Sequence, residues 1–184
     1  MSTPTEVNRY VHFHGAPAKG KILMVASSPA VSAQTGWPIG FWAAELTHPL
    51  RVFQEAGYEV ELASTAGGSL MMDAYSNPTD ASGYSAHDVI SLGYLQQPWF
   101  NEMLANTRKL TEAQPDDYVA IFLVGGQGPM YTFRGNAELQ KTVCAVLRSR
   151  QAIGCGVPLH DPAAGGQAGQ RRADRGRQNV DRLR

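Results

Sequence analysis

The chain reads as an α/β protein, a doubly wound three-layer α/β/α arrangement around a parallel sheet. Three observations predict it. KILMVASS (21–28) and YVAIFLV (118–124) are short continuous apolar runs, the pattern of strands buried on both faces. Residues 21–64 run strand, helix, strand, an order that implies parallel pairing through a crossover helix. The second apolar run passes directly into a glycine turn, VGGQG, as a strand end that faces a ligand does.

After KILMVASS comes a loop punctuated by Gly and Pro, VSAQTGWPIGF. AAELTHPLRVFQEAG (43–57) follows as a helix, with Leu46, Leu50 and Phe53 at helical spacing and Gly57 as its C-cap. YEVELAS (58–64) is the second strand. Residues 64–85, STAGGSLMMDAYSNPTDASGYS, form a long polar loop of the kind that is functional in compact domains. PWFNEMLANTRKLTEA (98–113) is a mixed helical region, and ELQKTVCAVL (138–147) opens an amphipathic helix. Doubly wound sheets place their sites beyond the carboxyl ends of the strands. The loops after KILMVASS, YEVELAS and YVAIFLV are therefore the expected site walls.

A chain of 184 residues has room for one domain with a sizeable core, and 43% hydrophobic with 17% charged residues fits a soluble globular protein. Net charge is zero, but its distribution is uneven. Residues 1–145 carry 8 Lys+Arg against 13 Asp+Glu, giving −5; residues 146–184 carry 8 Arg against 3 Asp, giving +5. That tail has no lysine, glutamate or aromatic residue, which argues against a nucleic-acid arm. The polar start, residues 1–20, has no apolar leader core, and no stretch reaches membrane-spanning length, so a cytoplasmic protein is expected. His12 and His14 in this lead-in read as solvated. Cys144 and Cys155 form no disulfide framework or metal spacing. Cys144, on the amphipathic helix, reads as a small core residue.

The candidate chemistry lies at two strand ends. Glu45, in FWAAELTHP, is a carboxylate in the first turn of a helix, where it either complements the helix dipole or serves a site. His48, one turn on, is either its partner or a surface residue. Gly125 and Gly126 in VGGQGPM bring bare backbone N–H groups near a ligand, or simply make a tight turn.

TGWPIGFWAAELTHPLRVFQEAGYEVELASTAGG, then MMDAYS, then YVAIFLVGGQGPMYTF together resemble the PfpI family. This is the family of the Parkinsonism-associated protein DJ-one, within the flavodoxin-like, class I glutamine amidotransferase-like superfamily. Among its branches the chain is similar to the glutathione-independent glyoxalases of the stress-chaperone type. The resemblance covers about residues 20–145 and rests on E-x-x-H-P, A-S-x-x-G-G…D-x-x-S and G-G-x-G. It implies a cysteine site in which Glu45 sits against the nucleophile and the turn at Gly125 and Gly126 supplies oxyanion-hole backbone. It further implies a small-molecule aldehyde as substrate, no metal or organic cofactor, no nucleic-acid or membrane partner, and leaves a family-like homodimer open. A chaperone or deglycase-like role on the same scaffold is the alternative. A true glutamine amidotransferase would need a distant histidine that no residue here supplies.

The family's nucleophile stands on a Cys-His elbow after the strand that follows the helix at 138–147. Here the text reads VLRSRQAIGCGVPLHDP. Cys155 is flanked by Gly154 and Gly156 with no buried strand expected before it, so it is not taken as the equivalent nucleophile. Codons permitted for Val146 to Arg184, read one base later, spell a strand of small apolar residues, a Cys-His pair and a further helix. All 38 junctions from Val146 to Arg184 accept such a reading. Residues 21–145 therefore read as an incomplete PfpI-type domain, and 146–184 as an aberrant tail out of frame.

Overall fold

The computed structural model describes residues 18–148 and 152–155. β1 (Lys21–Ala26) is the strand on which the core is built. Its side chains alternate between two apolar clusters: Ile22, Met24 and Ala26 enter one, Leu23 and Val25 the other, and all five are buried. This is the physical content of an unbroken apolar run, since a strand covered on both faces has no side for polar residues.

A small hairpin of β2 (Ala30–Val31) and β3 (Pro38–Ile39) interrupts the path to α1 (Ala43–Glu55). α1 returns the chain to β4 (Glu59–Ser64), parallel to β1 with Lys21 opposite Glu59 and Ala26 opposite Ser64. The long loop that follows is tied down rather than free. Residues 40–41 and 71–73 pair along it, with Phe41 N–H donating to Met71 at 3.0 Å and Asp73 N–H to Phe41 at 2.9 Å.

Beyond the loop the structure differs from the sequence reading. α2 (Val89–Leu95) occupies a stretch left unassigned, with Asp88 capping it through a bond from the Ser91 N–H at 3.1 Å. The helical signal at 98–113 divides into α3 (Pro98–Ala105), the two-residue strand β5 (Arg108–Lys109) and a 3₁₀ turn at Leu110–Glu112. β5 pairs with the end of β4. The core run becomes β6 (Ala120–Leu123), parallel to β1 on the side away from β4. A short α4 (Pro129–Thr132) and the long α5 (Ala137–Arg148) follow. β7 (Ala152–Cys155) then adds a parallel strand beside β6, with Leu123 opposite Cys155. A strand does lead into Cys155, contrary to expectation. AIGC is only four residues long, and its arginine- and glycine-rich flanks hide the period.

Sheet order is β5-β4-β1-β6-β7, all parallel. One face is covered by α1 and α3 through Leu46, Leu50, Phe100, Met103 and Leu104, with Tyr94 and Leu95 of α2 packed against them. The other is covered by Leu139 and Val146 of α5 with Leu110, Ala113, Tyr118 and Phe133. Cys144 is exposed, not core. The inward stripe of α5 is Leu139, Thr142, Val143 and Val146, and Cys144 stands about 100° round the helix from Val143. Glu61 of β4 is fully buried, paired with Arg108 at 2.7 Å and accepting from the Tyr118 hydroxyl at 3.0 Å. Burial, and then the negative charge of Glu61, push the Tyr118 hydroxyl well above its ordinary pKa. The lead-in with His12 and His14, and the tail from residue 156, lie outside the described residues.

Candidate active site

The chain leaves β1 toward β4 and β5, then crosses back to lay β6 on the opposite side of β1. That reversal makes β1/β6 the switch point, where connections diverge and leave a crevice at the carboxyl ends. Glu45 and the glycine turn both stand there.

Trp42 precedes α1 and donates its N–H to the Gly125 carbonyl at 2.9 Å, which seats the start of the helix on the turn after β6. Gly126 has φ +133°, and a Cβ there would stand 2.6 Å from the Trp42 nitrogen and 2.8 Å from the Gly40 carbonyl oxygen. Only glycine fits both the backbone conformation and the space. Gly128 donates to the Gly40 carbonyl at 2.7 Å and packs on Ser27 at the end of β1. From the third loop, Asp73 is 3% exposed and accepts from the Gly40 N–H at 2.8 Å and the Gln127 N–H at 2.7 Å.

Glu45 therefore does more than complement a helix dipole. Burial raises the pKa of its carboxyl, a hydrogen bond from the Gly125 N–H pulls it back in part, and the negative charge of Asp73 adds to the rise. Its Oε2 is buried and meets no hydrogen-bond partner among the described residues; Ser27 Oγ is in the same condition. Pro49, four residues on, has no N–H for the Glu45 carbonyl, so the helix is weakened where the carboxyl is held.

The Gly125 N–H stands where it lowers the pKa of the Glu45 carboxyl. The Gly126 N–H meets no acceptor among the described residues and remains available. His48 does not join Glu45. Its Nε2 lies 2.9 Å from Asp88 Oδ1, and through Asp88, Ser91 and Thr47 it pins α2 to α1. Burial of Asp88 opposes ionisation, but bonds from Ser91 and His48 outweigh it and hold the carboxyl below its ordinary range. Cys155 closes β7 beside the last residue of β6, two positions before Gly125.

The sequence reading gave no role to Asp73 or to a run of rings over the same loops. Trp42 meets Tyr84 edge-on at 6.1 Å, Tyr84 meets Tyr75 at 5.9 Å and Tyr75 meets Trp37 at 6.5 Å. Trp37, Tyr75 and Tyr84 are exposed. The D-x-x-S motif pointed at Asp73, but its partners lie 33 and 54 residues away. Among the described residues no group of three or more His, Cys, Asp or Glu could hold a metal ion, and no helix is long and apolar enough to cross a membrane.

A parallel sheet in this order, flanked by helices and carrying a carboxylate and glycine turn at its switch point, defines a flavodoxin-like protein of the class I glutamine amidotransferase-like type. No family model matches the chain. Individual relatives do. Glyoxalase 3 of Candida albicans is 28% identical over 137 residues, covering 71% of this chain and 56% of that protein. The protein/nucleic acid deglycase HchA of Staphylococcus aureus is 30% identical over 152 residues, covering 79% of this chain and 49% of HchA. The crystal structure of Candida albicans glyoxalase III superposes with a TM-score of 0.60 at 26% identity, over 74% of this chain and 56% of that one. The Rapid Encystment Protein 24 kDa of Francisella tularensis shares the fold, with a TM-score of 0.65 at 24% identity, over 74% of this chain and 57% of that one. These matches support the PfpI family, with glyoxalase-type relatives. The chain spans about half the length of the curated relatives it matches.

Proposed function

We propose that this chain carries the acid–base half of a glyoxalase-type site acting on 2-oxoaldehydes such as methylglyoxal. The observation that carries the reading is the half-buried Glu45 carboxyl, set at the β1/β6 switch point against the glycine turn, with its buried Oε2 unpartnered among the described residues. A carboxyl whose pKa is raised above its ordinary range is better suited to serve both as base and as acid in one turnover.

In the parent reaction a cysteine thiolate adds to the aldehyde carbon and forms a hemithioacetal. Ionised Glu45 takes the proton from that carbon and returns it to the neighbouring carbonyl carbon. The hemithioacetal thereby becomes the thioester of a 2-hydroxy acid, and water releases the acid and restores the thiol. The oxyanion formed in the addition and hydrolysis steps needs a fixed donor, a role that suits the Gly126 N–H. The aldehyde carbon is oxidised to the acid level as the neighbouring carbonyl carbon is reduced to an alcohol, so the scheme needs no external oxidant or reductant.

The chain as it stands lacks the Cys-His elbow: Gly156, not histidine, follows Cys155. We infer that it is inactive and that a one-base frameshift after Ala145 displaced the elbow. The deglycase name of the 30% relative favours a second reading in which the same site acts on glycated groups.

The test compares hydroxy-acid formation from methylglyoxal, and release of glycated adducts, by this chain and by a chain with the frame restored. The restored chain is expected to turn over methylglyoxal and to lose about 10²–10⁴-fold on Glu45→Gln. Full activity of Glu45→Gln overturns the role of Glu45, and turnover by the chain as it stands overturns its inactivity. Release of glycated adducts without hydroxy-acid formation selects the second reading.

A further inference from the structure

We propose that Asp73 is the positioning residue of this site, a single buried carboxylate that clamps the loops after β1, β4 and β6 together and sets where the Glu45 carboxyl and the Gly126 N–H stand. An ionised carboxylate only accepts hydrogen bonds, so a buried one requires donors around it. Asp73 finds them in two backbone amides from the other two loops, Gly40 to Oδ1 at 2.8 Å and Gln127 to Oδ2 at 2.7 Å. Bonds to a charged acceptor are roughly twice as strong as neutral ones. Each arm ends beside a working part of the site: Gly40 lies two residues before Trp42, on which α1 starts, and Gln127 follows Gly126 directly.

Among the described residues the other hydrogen bonds between these loops are neutral, and each joins two loops: Trp42 to Gly125, Gly128 to Gly40, Phe41 with Met71 and Asp73, the Ser28 hydroxyl with Thr65 and Ala66, and the Ser32 hydroxyl with Tyr131. Among them Asp73 alone reaches both other loops through one side-chain group. The space around it is closed as well, because a Cβ on Gly40 would collide with the Met71 carbonyl. Asparagine in place of Asp73 keeps the shape but turns one acceptor into a donor aimed at an N–H.

The charge on Asp73 also bears on Glu45, adding to burial in keeping that carboxyl protonated to higher pH. The other groups around Glu45 are the Gly125 N–H, which acts in the opposite sense, and His48 on its own helix, which is engaged by Asp88.

The inference does not depend on any reaction, and its test uses none. In the full chain, with labelled glutamate and amide groups, NMR follows the Glu45 carboxyl titration and hydrogen exchange at Gly40 and Gln127. Asp73→Asn is expected to move the Glu45 midpoint down toward the ordinary value of about 4.3. It is also expected to speed exchange at both amides by about tenfold or more. Asp80→Asn, an exposed acid on the same loop, moves neither. Unchanged Glu45 titration in folded Asp73→Asn overturns the proposal, because a merely structural carboxylate would alter exchange alone. If that variant does not fold, acidification of the unmutated chain decides. The amide proton shifts of Gly40 and Gln127 are expected to follow one common midpoint, and two separate midpoints overturn the clamp.

Discussion

The two faces of the sheet are built from the same strands yet closed in different ways. On one face the crossover from β1 through α1 to β4, and the return through α2 and α3 to β5, lay three helices in contact with one another. The polar side chains buried among these helices, Thr47 bonded to Ser91 and Gln54 bonded to Tyr94, are uncharged. On the other face, among the described residues, one long helix, α5, carries the cover with short 3₁₀ turns. That face also holds the buried pair of Glu61 and Arg108. The helices that cover the first face all lie within residues 43–105. The second depends on chain that arrives later, beside the point where the sequence changes character.

Core truncations test this difference most strongly. Phe100→Ala on the three-helix face is expected to cost about 4 kcal/mol, and Leu139→Ala under α5 about 2–3 kcal/mol, by urea unfolding. Equal costs would show that both faces are consolidated alike and would break the comparison.

The buried charge comes next. Arg108→Met removes the positive charge beside Glu61 and is expected to cost about 3 kcal/mol, whereas Glu61→Leu with Arg108→Met recovers most of that loss. A double variant as unstable as the single one would mean that Arg108 acts by packing its stem rather than by neutralising the acid.

The smallest effect lies at the strand ends, where the two faces meet. The folded pKa of Glu45 lies above its unfolded value, so the unfolded chain gives up this proton first as pH rises. Stability from this group is full below the unfolded value and declines as pH climbs through the window up to the folded one. Glu45→Gln removes that decline. Its melting temperature relative to the parent is therefore expected to rise as pH climbs above the ordinary carboxyl value of about 4.3. A difference that stays flat with pH would show that the carboxyl is not held protonated by its site.

Much of this was legible in the sequence. Long periodic elements carry their own signal: the unbroken apolar run of β1, the i, i+4 spacing of Leu46 and Leu50, and the strand-to-glycine transition after β6 all appear where expected. Short elements do not. β5 has two residues and β7 four, lengths at which period and propensity cannot be separated, and both owe their existence to a neighbouring strand. Cys144 shows a different failure. Its helix was recognised, but apolar character was taken for inward direction, and the stripe through Leu139, Val143 and Val146 passes it by.

By itself the sequence determined the parallel α/β architecture, the place of Glu45 on its helix and the glycine that must turn after β6. Each follows from local period, volume or backbone freedom. Only the tertiary structure decided that the Gly125 turn bears on the Glu45 carboxyl, that His48 belongs to Asp88, and that Asp73 gathers three loops. Those are contacts between groups far apart along the chain, and a hydrogen bond formed across such a distance leaves no local pattern to read.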